Sequence, residues 1–215
     1  MQGTFSGGTA ASLTASMKAV MKKPSLIPIL QSPFGLTPGF EGPSQPLGMV
    51  PEYDDKLGKW AAPFIMATIN TKNVHRTNFL NGHPYGENFK YDEMMLTDPG
   101  EAGKAAAHAA MEMLKNPFGA KPPKPGEGPS KQEREEGFYD VLFVAEMEEG
   151  EALHYGVKGK YDPGYGSTSR MLAETGIALL SCDKSGGVGT PGHFLGEALV
   201  RRLEEHADLS FSVEN

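Results

Sequence analysis

The chain has 215 residues, 20 Lys and Arg against 27 Asp and Glu, and a formal net charge of −7. That length suits a domain with a substantial core, and the acidic balance excludes a nucleic-acid surface. No apolar run approaches the roughly 20 residues that cross a bilayer, and the one cysteine excludes an internal disulfide. These properties describe a soluble cytoplasmic protein.

In chain order, Thr9 to Lys22 predicts a helix, with Leu13, Met17, Val20 and Met21 at helical spacing, Thr9 as the cap and Lys22 suiting the negative end of the dipole. Pro24 to Gln31 predicts a short second helix. Residues 33–51 carry five prolines and form a long loop. Asp54 to Asn78 predicts the main helix, with Trp60, Phe64, Ile65 and Ile69 as its buried stripe and Pro63 as a kink. Asn88 to Leu96 alternates loosely as a strand, and the alanine-rich Glu101 to Leu114 is helical.

Residues 116–129 form a second Pro/Gly loop. Ser130 and Glu133 fit a capping box on a short polar helix. Phe138 to Met147 and Leu153 to Lys160 predict a hairpin turning at Glu148-Glu149-Gly150. Thr168 to Ser181 and Pro191 to Ala207 are predicted helices, with Cys182 ending an apolar run as a buried thiol. Leu209 to Glu214 alternates strictly, as a half-exposed strand does. Hairpin strands and separate helices, without strand–helix alternation, predict an α+β fold. The expected arrangement is a mixed, mainly antiparallel sheet with helices on one face, in a single domain over residues 1–215.

Three polar segments are candidate sites. In Ser6-Gly7-Gly8-Thr9 the glycines let backbone amides face one spot at a helix start; the same pattern also serves a close backbone approach alone. Asn73, His75, Arg76 and Asn78 end the predicted long helix. There Arg76 can clamp a carboxylate and His75 can move a proton, or both can cap carbonyls in a buried polar network. Asp162 to Ser169 carries a glycine turn, Tyr165-Gly166-Ser167-Thr168-Ser169, into a helix, where its hydroxyls either cap or bind an oxyanion. Gly187-Val188-Gly189-Thr190-Pro191-Gly192 spells a dinucleotide fingerprint, but it follows a helix where the fingerprint needs a strand, so Thr190 and Pro191 read as a helix start. The six histidines show no metal-ligand spacing, and no metal is expected.

Phe5 to Ser12, Leu36-Thr37-Pro38-Gly39, Trp60 to Phe64, Ile69 to Asn78, Tyr91 to Met95, Pro125 to Ser130 and Asp162 to Ser169 occur in one order along nearly the whole chain. In these segments the chain resembles the bacterial saccharopine dehydrogenase-like group that includes the trans-acting enoyl reductases of lipid synthesis. Members of that group begin with a Rossmann domain for NAD(P), which this sequence does not contain. The resemblance implies an α+β substrate and dimerisation domain, with NAD(P) bound in the full-length enzyme and not to this chain alone. It also implies a Rossmann domain supplied in cis or in trans, a small-molecule substrate and a homodimer. It makes His75 and Arg76 the candidate catalytic residues. Ser6, Gly7, Gly8, Thr9, Asn73, Asn78, Tyr165 and Ser167 are the candidate substrate contacts. The alternative is a non-catalytic oligomerisation or binding module, using the apolar residues Phe138, Tyr139, Val141, Phe143 and Tyr155.

Overall fold

The computed structural model describes residues 5–119, 121–147 and 150–214. The protein is α+β, 43% helical and 16% strand, with its strands in two three-stranded sheets that are antiparallel throughout. The expected mixed sheet is therefore two separate antiparallel sheets. The chain divides into two compact units. One comprises residues 14–122; the other joins the residues up to Leu13 to residues 123–215.

The chain opens with α1 (Gly7–Lys22), two residues before the expected start, and a 3-10 turn (Pro24–Leu26) runs directly into α2 (Ile27–Gln31). Leu13, Met17 and Met21 on α1 are exposed. In the unit of residues 14–122, β1 (Glu52–Asp54) and β2 (Lys59–Pro63) form a hairpin, and β2 also pairs with β3 (Met94–Leu96). Only α3 (Ala67–Leu80) of the predicted long helix exists. The correction has a local cause. Asp54 Oδ1 accepts the amides of Lys56 and Leu57, both at 2.9 Å, and Gly58 takes φ 64°, so the chain reverses before Trp60. Pro63 then ends a strand instead of kinking a helix, and Ile69, expected in the buried stripe, is exposed.

The helix α4 (Gly100–Leu114) packs on β2, and its buried residues Gly103 and Ala107 are small, as are Ala61 and Ala62 beneath them. A Cβ at Gly103 would lie 1.5 Å from the Asp98 carbonyl oxygen, so the approach of that turn requires glycine.

In the other unit, α5 (Lys131–Glu136) carries the expected capping box between Ser130 and Glu133. It leads into β4 (Phe138–Ala145), which pairs with β5 (Leu153–Lys160); Glu148 and Glu149 of the expected turn lie outside the described residues. The last strand, β6 (Leu209–Glu214), pairs with β5, giving the order β4-β5-β6. Between β5 and β6 come α6 (Gly166–Leu179), α7 (Pro191–Leu195) and α8 (Glu197–His206). Leu203 and Ala207 pack with Leu209, Val157, Met171, Leu199 and Phe211, so α6 and α8 close one end of one sheet face. An Arg202–Glu174 ion pair at 2.6 Å ties α8 to α6. Cys182 is half-buried, not fully buried, and its thiol donates to the Phe194 carbonyl at 3.5 Å. Among the described residues, no helix is long and apolar enough to cross a membrane.

The predicted helix from Pro191 to Ala207 is broken at Gly196, whose φ of 51° and ψ of −133° suit glycine alone. Gly196→Ala is expected to destabilise the fold by about 1–3 kcal/mol, read as a lower thermal midpoint. An unchanged midpoint would show that the break tolerates a side chain.

Candidate functional site

Within the unit built on β4, β5 and β6, the start of α1 meets the turn before α6 at an open cleft of about 520 Å³. Ser6, Gly8, Gly126, Glu127, Gly128, Pro129, Arg134 and Tyr165 line it. Each wall has a local reason. Ser6 caps α1: its Oγ accepts the Thr9 amide at 3.3 Å and its carbonyl accepts the Ala10 amide at 3.2 Å. The cap is thus Ser6 and not Thr9, which leaves the Thr9 hydroxyl for another task. The Gly7 amide donates to the Glu127 carbonyl at 2.8 Å, and a Cβ at Gly7 would sit 1.7 Å from the Lys124 carbonyl oxygen. Only glycine lets the 124–129 loop lie on the helix start.

The loop is held in turn by its own side chains. Glu127 Oε2 accepts the Lys124 amide at 2.7 Å, and the Arg134 guanidinium reaches back from α5 to donate to the Pro129 carbonyl at 2.6 Å. Opposite, Asp162 is 1% exposed and organises the entry to α6. Its Oδ1 accepts the amides of Gly164 and Tyr165 at 3.0 and 3.1 Å, and its Oδ2 accepts that of Gly166 at 2.5 Å. These three bonds fix the turn that presents Tyr165.

The Tyr165 hydroxyl accepts the Ser6 amide at 2.7 Å and lies 2.7 Å from Thr9 Oγ1, itself 3.4 Å from Ser6 Oγ. Three hydroxyls and one amide converge on one spot. Burial pushes the Tyr165 hydroxyl up, but its hydrogen bonds with Ser6 and Thr9 outweigh that, and it sits below its ordinary value. Such a group is a stronger hydrogen-bond donor than a free phenol.

Of the expected contacts, Ser6, Gly7, Gly8, Thr9 and Tyr165 are brought together here. Ser167 is buried with its hydroxyl 2.8 Å from that of Tyr139, and it does not line the cleft. Asp162 opens the third polar segment read from the sequence, at its Asp-Pro-Gly turn, without a role of its own there; Glu127 and Arg134 were not among the candidate residues and look like ordinary surface charges.

His75, Arg76, Asn73 and Asn78 belong to α3 in the other unit. His75 is 3% exposed, with Phe34 at 4.6 Å and Phe89 at 5.7 Å between ring centres. Its Nε2 lies 3.2 Å from Gln45 Oε1, which also accepts the Tyr91 amide at 2.9 Å. An amide oxygen only accepts, so Nε2 carries the proton. Arg76 donates to the Leu36 carbonyl at 2.7 Å. Asn78 donates to the Gly86 carbonyl at 3.0 Å and accepts the Tyr85 amide at 2.9 Å. Asn73 is exposed and donates to the Ile69 carbonyl at 3.0 Å. Next to them, burial and the Glu93 carboxylate push the Tyr91 hydroxyl far above its ordinary value, so it stays protonated and donates to Glu93 at 2.9 Å.

Over most of its length the chain is similar to trans-acting enoyl reductases. A Mycobacterium tuberculosis (strain H37Rv) protein named "Putative trans-acting enoyl reductase" is 34% identical, covering 94% of this chain and 55% of that protein. A trans-acting enoyl reductase of Mycobacterium ulcerans is 28% identical over 93% of this chain and 54% of its own length. One of Mycobacterium bovis (strain BCG) is 28% identical over 92% and 54%. The chain spans about half the length of these relatives. No family model matches it, and no solved structure matches it significantly.

The Gly187 to Gly192 loop does not form a dinucleotide turn. In the Gly187 to Gly192 loop, Thr190 Oγ1 accepts the His193 amide at 3.2 Å and Pro191 starts the five-residue α7. The loop follows α6, whereas a dinucleotide turn follows a strand. A larger cleft in the same unit, about 610 Å³, is lined by residues of α6, α7 and α8 and the loop between them, including Cys182, Arg201 and Arg202. Of its charged residues Arg202 pairs with Glu174 and Arg201 with Glu197, and Ser181 is the one hydroxyl-bearing residue in its lining.

Burial holds the His75 pKa below its ordinary 6.5. A histidine that binds protons more weakly folded than unfolded contributes stability that is complete above pH 6.5 and declines as pH falls towards its folded value. Thermal melts from about pH 7 to about pH 5 are expected to show this decline, and His75→Gln is expected to flatten it. An equal slope in His75→Gln would assign the decline to other groups.

Proposed function

We propose that the chain is the substrate-side part of an enoyl reductase, and that the cleft at the start of α1 receives the carbonyl of an α,β-unsaturated acyl substrate. The observation that carries the reading is the similarity along 94% of the chain to a protein named as a trans-acting enoyl reductase. The hydroxyl cluster of Ser6, Thr9 and Tyr165 supports handling such a substrate at this cleft. The same reading places the chain in the saccharopine dehydrogenase-like group, with a nucleotide-binding domain acting in cis or in trans. NAD(P)H bound by that domain supplies the hydride.

When a double bond conjugated to a carbonyl is reduced, negative charge develops on the carbonyl oxygen. A fixed donor aimed at that oxygen stabilises the transition state more than the ground state. Tyr165 is suited to the task. The Ser6 amide donates to its oxygen, and Thr9 Oγ1 can donate there as well, which turns the phenolic O–H outward. Both bonds stabilise negative charge on the phenolic oxygen, so the O–H is a better donor and acid than in water. The Asp162 carboxylate positions Tyr165 through three backbone amides and does not itself face the cleft. Arg134 adds positive charge to the wall. Asn73, His75, Arg76 and Asn78 hydrogen-bond groups of their own unit, and in this reading they hold structure instead of taking part in catalysis.

A second reading, a binding or oligomerisation module, is favoured by the apolar exposed residues of β4, and it is compatible with the first.

Calorimetric titration of the chain with a crotonyl thioester of pantetheine tests the proposed site. Removing the Tyr165 donor is expected to weaken binding by about tenfold in Tyr165→Phe, the value of one hydrogen bond. Equal affinity in Tyr165→Phe and the native chain would remove Tyr165 from the site. Binding abolished by His75→Gln and untouched by Tyr165→Phe would place the substrate on α3.

A further inference from the structure

Arg134 stands apart from the other arginines of its unit. Arg170 pairs with Asp208, Arg201 with Glu197 and Arg202 with Glu174. Arg134 is half-buried and pairs with no carboxylate among the described residues. Acidic side chains are not lacking around it. Each is engaged elsewhere. Glu133 Oε2 accepts the Ser130 amide at 2.7 Å, and Glu135 pairs with Lys131 at 3.7 Å. Glu136 Oε1 accepts from the Gln132 side chain at 2.9 Å, and Glu127 Oε2 accepts the Lys124 amide at 2.7 Å. Asp162 spends both its oxygens on backbone amides. A charged group drawn out of water normally gains a counter-charge in return, and in a chain of net charge −7 this one has none.

Both walls of the cleft hold Arg134 in place. Its backbone carbonyl accepts the Asp162 amide at 3.0 Å, which ties it to the turn that carries Tyr165. Its Nη1 donates to the Pro129 carbonyl at 2.6 Å, on the loop that rests on α1. That one bond leaves the rest of the guanidinium N–H fork, and the side chain lines the cleft together with Tyr165. The start of α1 is no rival for an anion. The amides of Ser6, Gly7 and Thr9 already meet the Tyr165 hydroxyl, the Glu127 carbonyl and Ser6 Oγ.

We infer that Arg134 is the anion subsite of this cleft: the molecule bound there carries, besides the carbonyl that meets Tyr165, an oxyanion group received by the Arg134 fork. A planar guanidinium takes two oxygens of a carboxylate or a phosphate in parallel charge-assisted bonds, and it keeps its charge at every working pH. The inference rests on the cleft being the substrate site, and it narrows the substrate from an enoyl compound to an anionic one. The oxyanion has two possible sources. One is a carboxylate on the acyl group itself, and the other is a phosphate on the arm that carries the thioester.

Calorimetric titration of the full chain with three thioesters tests this. The crotonyl thioester of pantetheine is neutral, the crotonyl thioester of phosphopantetheine adds a phosphate, and the glutaconyl thioester of pantetheine adds a carboxylate. One anionic probe at least is expected to bind about tenfold more tightly than the neutral one, the worth of a charge-assisted hydrogen bond, and which of them gains identifies the source. Arg134→Gln, which keeps a donor for the Pro129 carbonyl, is expected to erase that preference. Tyr165→Phe is expected to weaken all three probes alike, so the two residues are told apart. Where Arg134→Gln fails to fold, Arg134→Lys keeps the charge without the fork, and the preference is expected to fall roughly threefold or more. Equal affinity of the native chain for the three thioesters overturns the inference and leaves the role of Tyr165 to its own test. A preference that survives unchanged in the Arg134 variants overturns it too. Binding of none of the three overturns it together with the reading of the cleft.

Discussion

The hydroxyl of Tyr165 accepts the Ser6 amide and sits within hydrogen-bond distance of Thr9, and the organisation of this unit around the cleft depends on that contact. It joins residues more than 150 positions apart in the sequence. On one side Gly7 lets the 124–129 loop rest on the start of α1, and on the other Asp162 gathers three amides to build the turn that carries Tyr165. Neither wall would need such care if the tyrosine served only to fill space. An aromatic ring can be buried without a phenol, whereas this phenol has two partners and a cleft beside it.

The same economy appears around α3. His75, Arg76 and Asn78 look on paper like a proton shuttle, an anion clamp and an amide contact. In the fold they hold the polypeptide of residues 34–45 and 85–91 to one helix: Gln45 on His75, the Leu36 carbonyl on Arg76, and Tyr85 and Gly86 on Asn78. Long connecting loops carry many backbone groups that must find partners, and side chains from a neighbouring helix are the usual source. A helix that closes such a loop therefore acquires a sequence that imitates a site.

Much of this was readable from local signals. Ser130 with Glu133 and the alternation of Leu209 to Glu214 are short-range patterns that formed as read, and β4 pairs with β5 as expected, with β4 ending at Ala145 instead of Met147. The stretch from Asp54 to Asn78 was misread because Trp60, Phe64, Ile65 and Ile69 happen to fall at helical spacing. The Asp54 turn and Gly58, two to six residues before them, override that spacing. The break at Gly196 was hidden in the same way inside a periodic run. Hydroxyls and glycines at helix edges marked Ser6 to Thr9 and Tyr165. Nothing local marked Glu127 and Arg134, whose positions come from the packing of a distant loop on α1.

The most direct test of the account is a crystal structure of the chain soaked with a saturated acyl thioester, which cannot be reduced. The account predicts the thioester carbonyl oxygen within hydrogen-bond distance of the Tyr165 hydroxyl, in the cleft beside Gly8 and Arg134. A thioester bound in the unit that carries α3, with the Tyr165 cleft empty, would contradict it.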